Sequence, residues 1–288
     1  MDNKNCCSPK SGEDKLVTVT TAGGYVTTTE LARRNTKPSG KKIDKNHYCD
    51  SEGNVYEYKH TENRSQSPKS VRRSLNKLVD IINTNTEDLS RCRWVTLTYA
   101  ENMTDDKQLM KDWENFRKKG QREWGKFEYI VVKEPQARGA WHLHVIMIFD
   151  GKAPYIPNDD LKKKWGKGFV SIKQLKNGAN LGLYFTASLR DIPSDEAEKA
   201  GINLDNRKMS SNKKYVKGAR LDLYPCGVRI YTCSGEIKQP IKEKMTKKEA
   251  ESRVKDMKKL NETKIDITNG GRRVNRIIKT TYKDEQIK

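Results

Sequence analysis

The stretch YIVVKEPQARGAWHLHVIMIF, Tyr129 to Phe149, contains two of the chain's four histidines. FEYIVVKE (127–134) and WHLHVIMIF (141–149) are apolar and β-branched enough to be strands, and PQARGA between them has the proline and glycine of a turn. Residues i and i+2 of a strand share a face, so His142 and His144 stand side by side with Ile146 and Ile148 beyond them. The opposite face, Trp141, Leu143, Val145, Met147 and Phe149, is wholly apolar and is expected to meet helices. If the two strands pair as a hairpin, Glu134 falls opposite or near His142, because facing residues lie about 4.5–5.5 Å apart at Cβ. Two imidazoles and a carboxylate then converge on a patch open toward solvent, a donor set that suits Mg²⁺ or Mn²⁺. Hydrogen-bonded strand histidines are the plainer alternative. Glu134 at the matching parity, and Gly139 read as a point of tight approach, favour the ligand set.

Working outward, RWVTLTY (93–99) reads as a strand, and DKQLMKDWENFRKK (106–119) as a helix with Leu109, Trp113 and Phe116 on one face and Thr104 or Asp105 as cap. NDDLKKKW (158–165) is a short helix and GFVSIKQL (168–175) a strand. Strand, helix, strand, strand, helix, strand is the α+β, ferredoxin-like plan with an antiparallel sheet. Before it, Val71, Leu75, Leu78, Val79 and Ile82 recur at helical spacing behind Pro68. After it, ANLGLYFTASL (179–189) is a helix with a stripe of Leu181, Phe185 and Leu189, and ARLDLY-PCG-VRIYTC is expected to be a hairpin.

The flanks differ. Residues 1–14 are polar and expected to be disordered, LVTVTT-AGG-YVTTTE is a hairpin, and 33–68 reads as a linker or irregular arm. At the other end Thr246 and Glu249 make a capping box before a lysine-rich helix with a thin stripe of Ala250, Val254 and Met257; IDIT-NGG-RRVNRIIKTTY follows as a basic hairpin.

Lysine and arginine number 58 against 38 acidic residues, a formal charge of +20 that suits a polyanionic partner. No apolar segment reaches the roughly 20 residues of a membrane span, and the first residues lack the apolar middle of a signal peptide, so a cytoplasmic protein without a membrane partner is expected. Six cysteines without paired spacing read as reduced thiols, and Cys6, Cys7, His47, Cys49 and His60 as bystanders to any zinc chemistry. With phosphate as the favoured substrate, the missing part is a nucleophile. Tyr184, beside the apolar stripe of its helix, suits transesterification, but spacing alone does not separate it from an ordinary tyrosine at the core edge among twelve.

WVTLTYAENMTD (94–105), KEPQARGAWHLHVIMIFD (133–150), NLGLYFTASL (180–189) and KGARLDLYPCGVRIYTCSGEI (217–237) together resemble the rolling-circle replication initiators of plasmids and mobile elements, within the His-hydrophobic-His (HUH) endonucleases. HTENRSQSPKSVRRSLNKLVDIINTN (60–85) resembles the segment before the first motif in initiators from low-GC Gram-positive bacteria. The resemblance implies that His142 and His144 bind a divalent cation with Glu134 as third ligand, and that Tyr184 attacks single-stranded or hairpin origin DNA. Many relatives have a lysine three residues after the tyrosine or a second tyrosine four after it, where this chain has Ala187 and Ser188. A single-tyrosine enzyme follows, with Tyr215 and Tyr224 as the other candidate nucleophiles. Arg138, Lys217, Arg220, Arg229, Arg272 and Arg273 are expected to contact DNA. No G-x-x-x-x-G-K-[ST] is present, so a host helicase is the expected partner. Three parts are expected: a polar arm with a hairpin (1–59), the nicking and strand-transfer domain (60–237) and a basic DNA-binding extension (238–288). The competing readings are a relaxase, a single-strand transposase, and a non-catalytic nucleic-acid-binding module.

Overall fold

The computed structural model describes residues 16–33, 40–50, 52–58, 62–175, 180–187, 189–204, 208–210, 212 and 214–286. The expectation for residues 1–14, and His60 and Ser188, lie outside them. The chain divides into two units, Thr61–Gln239 and a second made of Met1–His60 with Pro240–Lys288.

Alternating β-branched residues on either side of Gly23 and Gly24 pair as β1 (Leu16–Ala22) and β2 (Tyr25–Leu31), the expected hairpin. The segment read as an irregular arm contains three short paired strands instead, β3 (Lys41–Lys42), β4 (His47–Cys49) and β5 (Val55–Glu57). Runs of two or three residues are too short to show alternation. What holds them is the ring of Tyr48 against Tyr56 at 5.3 Å and Tyr58 at 5.0 Å, with Asp44 and Asp50 accepting from turn amides.

The larger unit opens with α1 (Pro68–Asn85), whose first residue needs no amide partner at a helix start. Then follow β6 (Cys92–Leu97), α2 (Asp106–Trp124), β7 (Phe127–Pro135), β8 (Trp141–Phe149), α3 (Asn158–Trp165), β9 (Val170–Gln174) and α4 (Leu181–Ala187). Asp105, and not Thr104, caps α2 by accepting from the amides of Lys107 and Gln108. Small elements complete it: β10 (Ile192–Pro193), α5 (Ser194–Lys199), β11 (Tyr215–Val216) and β12 (Tyr231–Cys233). The strands lie in the order β12-β7-β8-β6-β9 and every ladder is antiparallel. Without the edge strand β12, the first three strands of the α+β plan stand with the third between the first and second, and the fourth outside the first, the ferredoxin-like order.

Trp113 and Phe116 of α2 and Trp165 of α3 pack onto the apolar face through Tyr129 and Tyr99. The ARLDLY segment corrects an expectation. It is a 3₁₀ turn, Ala219–Leu223, entered through Gly218 at φ 73, and only Tyr231–Cys233 pairs, with β7 and not with it. Its apolar residues mimic strand alternation while Ala219, Leu221 and Tyr224 are buried along a turn.

The smaller unit resumes with β13 (Ile241–Thr246), α6 (Lys247–Arg253), β14 (Lys258–Asn269) and β15 (Arg272–Lys283). Thr246 and Glu249 form the reciprocal capping box. Gly270 and Gly271, at φ 54 and 78, are the two left-handed residues that a tight hairpin requires. The arm and the extension, expected as separate parts, share one five-stranded sheet in the order β13-β1-β2-β15-β14. Val17, Val19 and Val26 close a small core with Ala250 and Val254 of α6. Among the described residues, no helix is long and apolar enough to cross a membrane.

Candidate functional site

The β7–β8 ladder pairs Glu134 with His142 and Val132 with His144, and β6 brings Thr96 opposite His144. Gly139 adopts φ 87 in the connecting turn, where an added Cβ would meet only Thr104 Cγ2, at 3.7 Å. The turn requires its conformation, so the tight approach expected there is corrected to a left-handed turn residue.

Glu134 lies opposite His142 as expected, but the patch is not open: the residue is 6 % exposed. Its Oε2 is 2.7 Å from His144 Nε2 and its Oε1 2.9 Å from an Arg220 guanidinium nitrogen. Arg220, expected at the DNA surface, is itself buried and donates to the carbonyls of Pro135 at 2.9 Å and Asp191 at 3.3 Å. The reason is electrostatic. An ionised carboxylate inside the sheet edge needs a fixed positive partner, and a planar guanidinium supplies one while satisfying nearby carbonyls. Burial alone would raise the Glu134 carboxyl, but the His144 hydrogen bond and the charges of His144 and Arg220 hold it below the usual carboxylate value.

The two histidines differ. His144 also sits 3.2 Å from Thr96 Oγ1 through Nδ1, so both ring nitrogens have neighbours. Burial pushes His142 down to about 4, which leaves it a neutral imidazole at pH 7. No described residue hydrogen-bonds its ring. As donors, two imidazoles and an ionised carboxylate fit a divalent cation in kind. As arranged, Glu134 and His144 close on each other, and among the described residues no three His, Cys, Asp or Glu side chains are set out as a ready metal cage. An entering ion has to displace the contact between Glu134 and His144.

Tyr184 reaches the same place from α4. Gly182 is where that helix docks: a Cβ there would fall 2.6 Å from the Val79 carbonyl oxygen of α1, and the Gly182 amide donates to Asn83 Oδ1 at 3.2 Å. Phe185 and Leu189 of the expected stripe are buried and Leu181 packs beside them, which turns the neighbouring Tyr184 outward at 63 % exposure. Its ring stands edge-on to Trp94 at 5.6 Å; Trp94 also meets His144 at 6.2 Å and Phe185 at 4.8 Å.

Glu134, His142, His144 and Tyr184 line one open cleft of about 1010 Å³ with Trp94, Lys173, Asp191, Tyr215 and Lys217. Tyr215 is exposed there, whereas Tyr224 is fully buried with its hydroxyl donating to the Lys133 carbonyl, and burial raises its phenol well above the ordinary value. Tyr224 is thereby corrected from candidate nucleophile to core residue. Of the basic residues expected on DNA, Lys217 is in the cleft, paired with Asp191 at 2.8 Å. Arg138 is exposed but donates to the carbonyls of Tyr99 and Ala100, and Arg229 is exposed on the larger unit. Arg272 and Arg273 belong to the hairpin end of the other unit. Trp94, Asp191 and the Arg220 clamp were not read from the sequence. Trp94 shares strand parity with Thr96, but its closeness to His144 depends on a ladder across about 50 residues of chain.

Residues 92–189, about a third of the chain, match the model of a family of replication-associated proteins, the ORF2 type. A search of curated proteins and one of solved structures found no match. The matched segment runs from the first residue of β6 past the end of α4 and so contains Glu134, His142, His144 and Tyr184. It supports a replication-associated role for this chain.

Proposed function

We propose that the chain is a metal-dependent, site-specific endonuclease and strand-transferase of single-stranded DNA that initiates rolling-circle replication through a 5′-phosphotyrosyl intermediate. The observation that carries this reading is the convergence of an exposed tyrosine with the Glu134, His142 and His144 set on one cleft. The replication-family match over the same segment supports it.

In the proposed reaction Tyr184 Oη bonds to the scissile phosphorus as the P–O3′ bond breaks. The phenol gives up a proton and the departing 3′ oxygen takes one, so protons balance and no cofactor is consumed. Because one phosphate ester replaces another, a later 3′ hydroxyl can reverse the step and join strands. Mg²⁺ or Mn²⁺ held by Glu134, His142 and His144 would draw charge from a non-bridging phosphate oxygen. The chain's own residues do the rest. The edge of Trp94 orients the Tyr184 ring, Arg220 keeps Glu134 ionised and fixed, and neutral His142 keeps a lone pair toward the cleft. Strand separation falls to another protein, in keeping with the missing nucleotide-binding motif.

Tyr184→Phe keeps the ring on Trp94 and removes the nucleophilic oxygen. In a pool of randomised single-stranded oligonucleotides with Mn²⁺, it is expected to bind DNA like the wild type, to unfold at the same temperature and to lose nicking entirely. Nicking that persists at the wild-type rate rejects Tyr184 as the nucleophile.

A further inference from the structure

The five-stranded sheet of the smaller unit separates its charges by face. Register and alternation put Val17, Val19, Val26, Thr28, Thr280 and Tyr282 on the side packed by α6. The carboxylates of the sheet lie on that side too. Glu243 pairs with Arg253 and Glu30 with Lys247, both on α6, and Asp266 pairs with Arg276 across the β14–β15 ladder. Glu262, opposite Thr280, completes the set.

The other face has the reverse character. From β13 across to β14 it presents Lys242 and Lys244, then the threonines of β1 and β2, then Lys279 and Lys283 of β15, then Asn261 and Thr263. No strand position on this face is Asp or Glu. Lys258, at the corner opposite Lys283, pairs with Glu285 beyond the end of β15. Among the described residues, no carboxylate pairs with Lys242, Lys244, Lys279 or Lys283, unlike Lys247, Lys259 and Lys264 on the helix side. The stems of Lys279 and Lys283 lie half-buried along the sheet and leave their ammonium groups outward.

We propose that this face binds the phosphate backbone of duplex DNA, so that the N-terminal hairpin and the C-terminal strands form a duplex-anchoring module separate from the cleft that holds Tyr184. The occupant follows from chemistry. Unpaired lysines set among hydroxyl donors match phosphate oxygens, and the absence of strand carboxylates removes the repulsion that a polyanion would meet. Single strands are gripped by successive aromatic rings, and this face has only Tyr25. The inference rests on the reading of the chain as a DNA-acting protein, and it assigns the affinity to the sheet face and not to Arg272 and Arg273 at the hairpin end.

The test uses the full chain with Lys242, Lys244, Lys279 and Lys283 all changed to Gln, titrated against a labelled duplex of mixed sequence at increasing salt. Losing four phosphate contacts should flatten the log–log salt slope by about 3.6, so that between 50 and 200 mM salt the wild type loses roughly 150-fold more affinity than the variant. The matching Lys→Arg variant should restore the slope. Changing Lys247, Lys248, Lys259 and Lys264 to Gln, four lysines on the helix side, should leave it unchanged. Nicking of a single strand by each variant is followed separately, so failure of the nicking reading is distinguishable from failure of this one. An unchanged duplex slope in the first variant, an equal drop in the helix-side variant, or a drop confined to single strands overturns the proposal.

Discussion

At the scale of single residues, the chemistry depends on how Glu134 is held. A carboxylate 6 % exposed and still ionised is stable only because Arg220 lies 2.9 Å away and His144 2.7 Å away. Arg220→Ala leaves that carboxylate without its fixed cation, and the Pro135 and Asp191 carbonyls without their donor. It is expected to lower the free energy of unfolding by about 3–5 kcal/mol in denaturant titration. Arg220→Met together with Glu134→Gln removes both charges and should recover part of that loss. A single-variant cost under about 1 kcal/mol would mean the pair is solvated and does not fix Glu134. The sequence shows the strand parity that joins Glu134 to His142, because that relation is local to a hairpin. It does not show the guanidinium, which arrives from 86 residues further along (220 − 134). Arg220 therefore reads as one more basic residue for DNA.

At the scale of elements, the position of Tyr184 depends on the seat of α4 against α1. Gly182→Ala forces a Cβ to within 2.6 Å of the Val79 carbonyl oxygen and 2.9 Å of its Cα, both backbone atoms that cannot rotate away. The helix must shift. A cost of about 1–3 kcal/mol is expected, with a loss of nicking larger than the loss of fold explains. Gly151→Ala, where an added Cβ has nothing within 4 Å, serves as the control and should change neither. Nicking at wild-type rate in Gly182→Ala would show that α4 does not set the nucleophile. Elements of this unit were legible where they are long. The 3.6-residue period of α1 and α2 and the uninterrupted β8 face declare themselves. ARLDLY did not, since a 3₁₀ turn that buries alternate residues looks like a strand over six positions. Strands β3 to β5 were hidden by their length.

For the whole molecule, the +20 charge is spread over two units with different work. The hairpins at either end were each legible from their glycine turns, but their union was not, because β2 pairs with β15 across about 250 residues. That union makes a prediction. Ending the chain after Gln239 removes three of five strands and α6 from the smaller unit, leaving β1 and β2 as a lone hairpin of marginal stability. Limited proteolysis should then cut within 16–58 and spare 61–239; protection of the hairpin would contradict the shared sheet. The central claim is chemical. It is tested most directly by incubating the full chain with Mn²⁺ and a pool of randomised single-stranded oligonucleotides, trapping covalent protein–DNA species, and mapping the modified residue by mass spectrometry. A 5′-phosphate-linked nucleotide on Tyr184 is the predicted result. An adduct on Tyr215 alone, or no adduct from a chain that binds the pool, would contradict it.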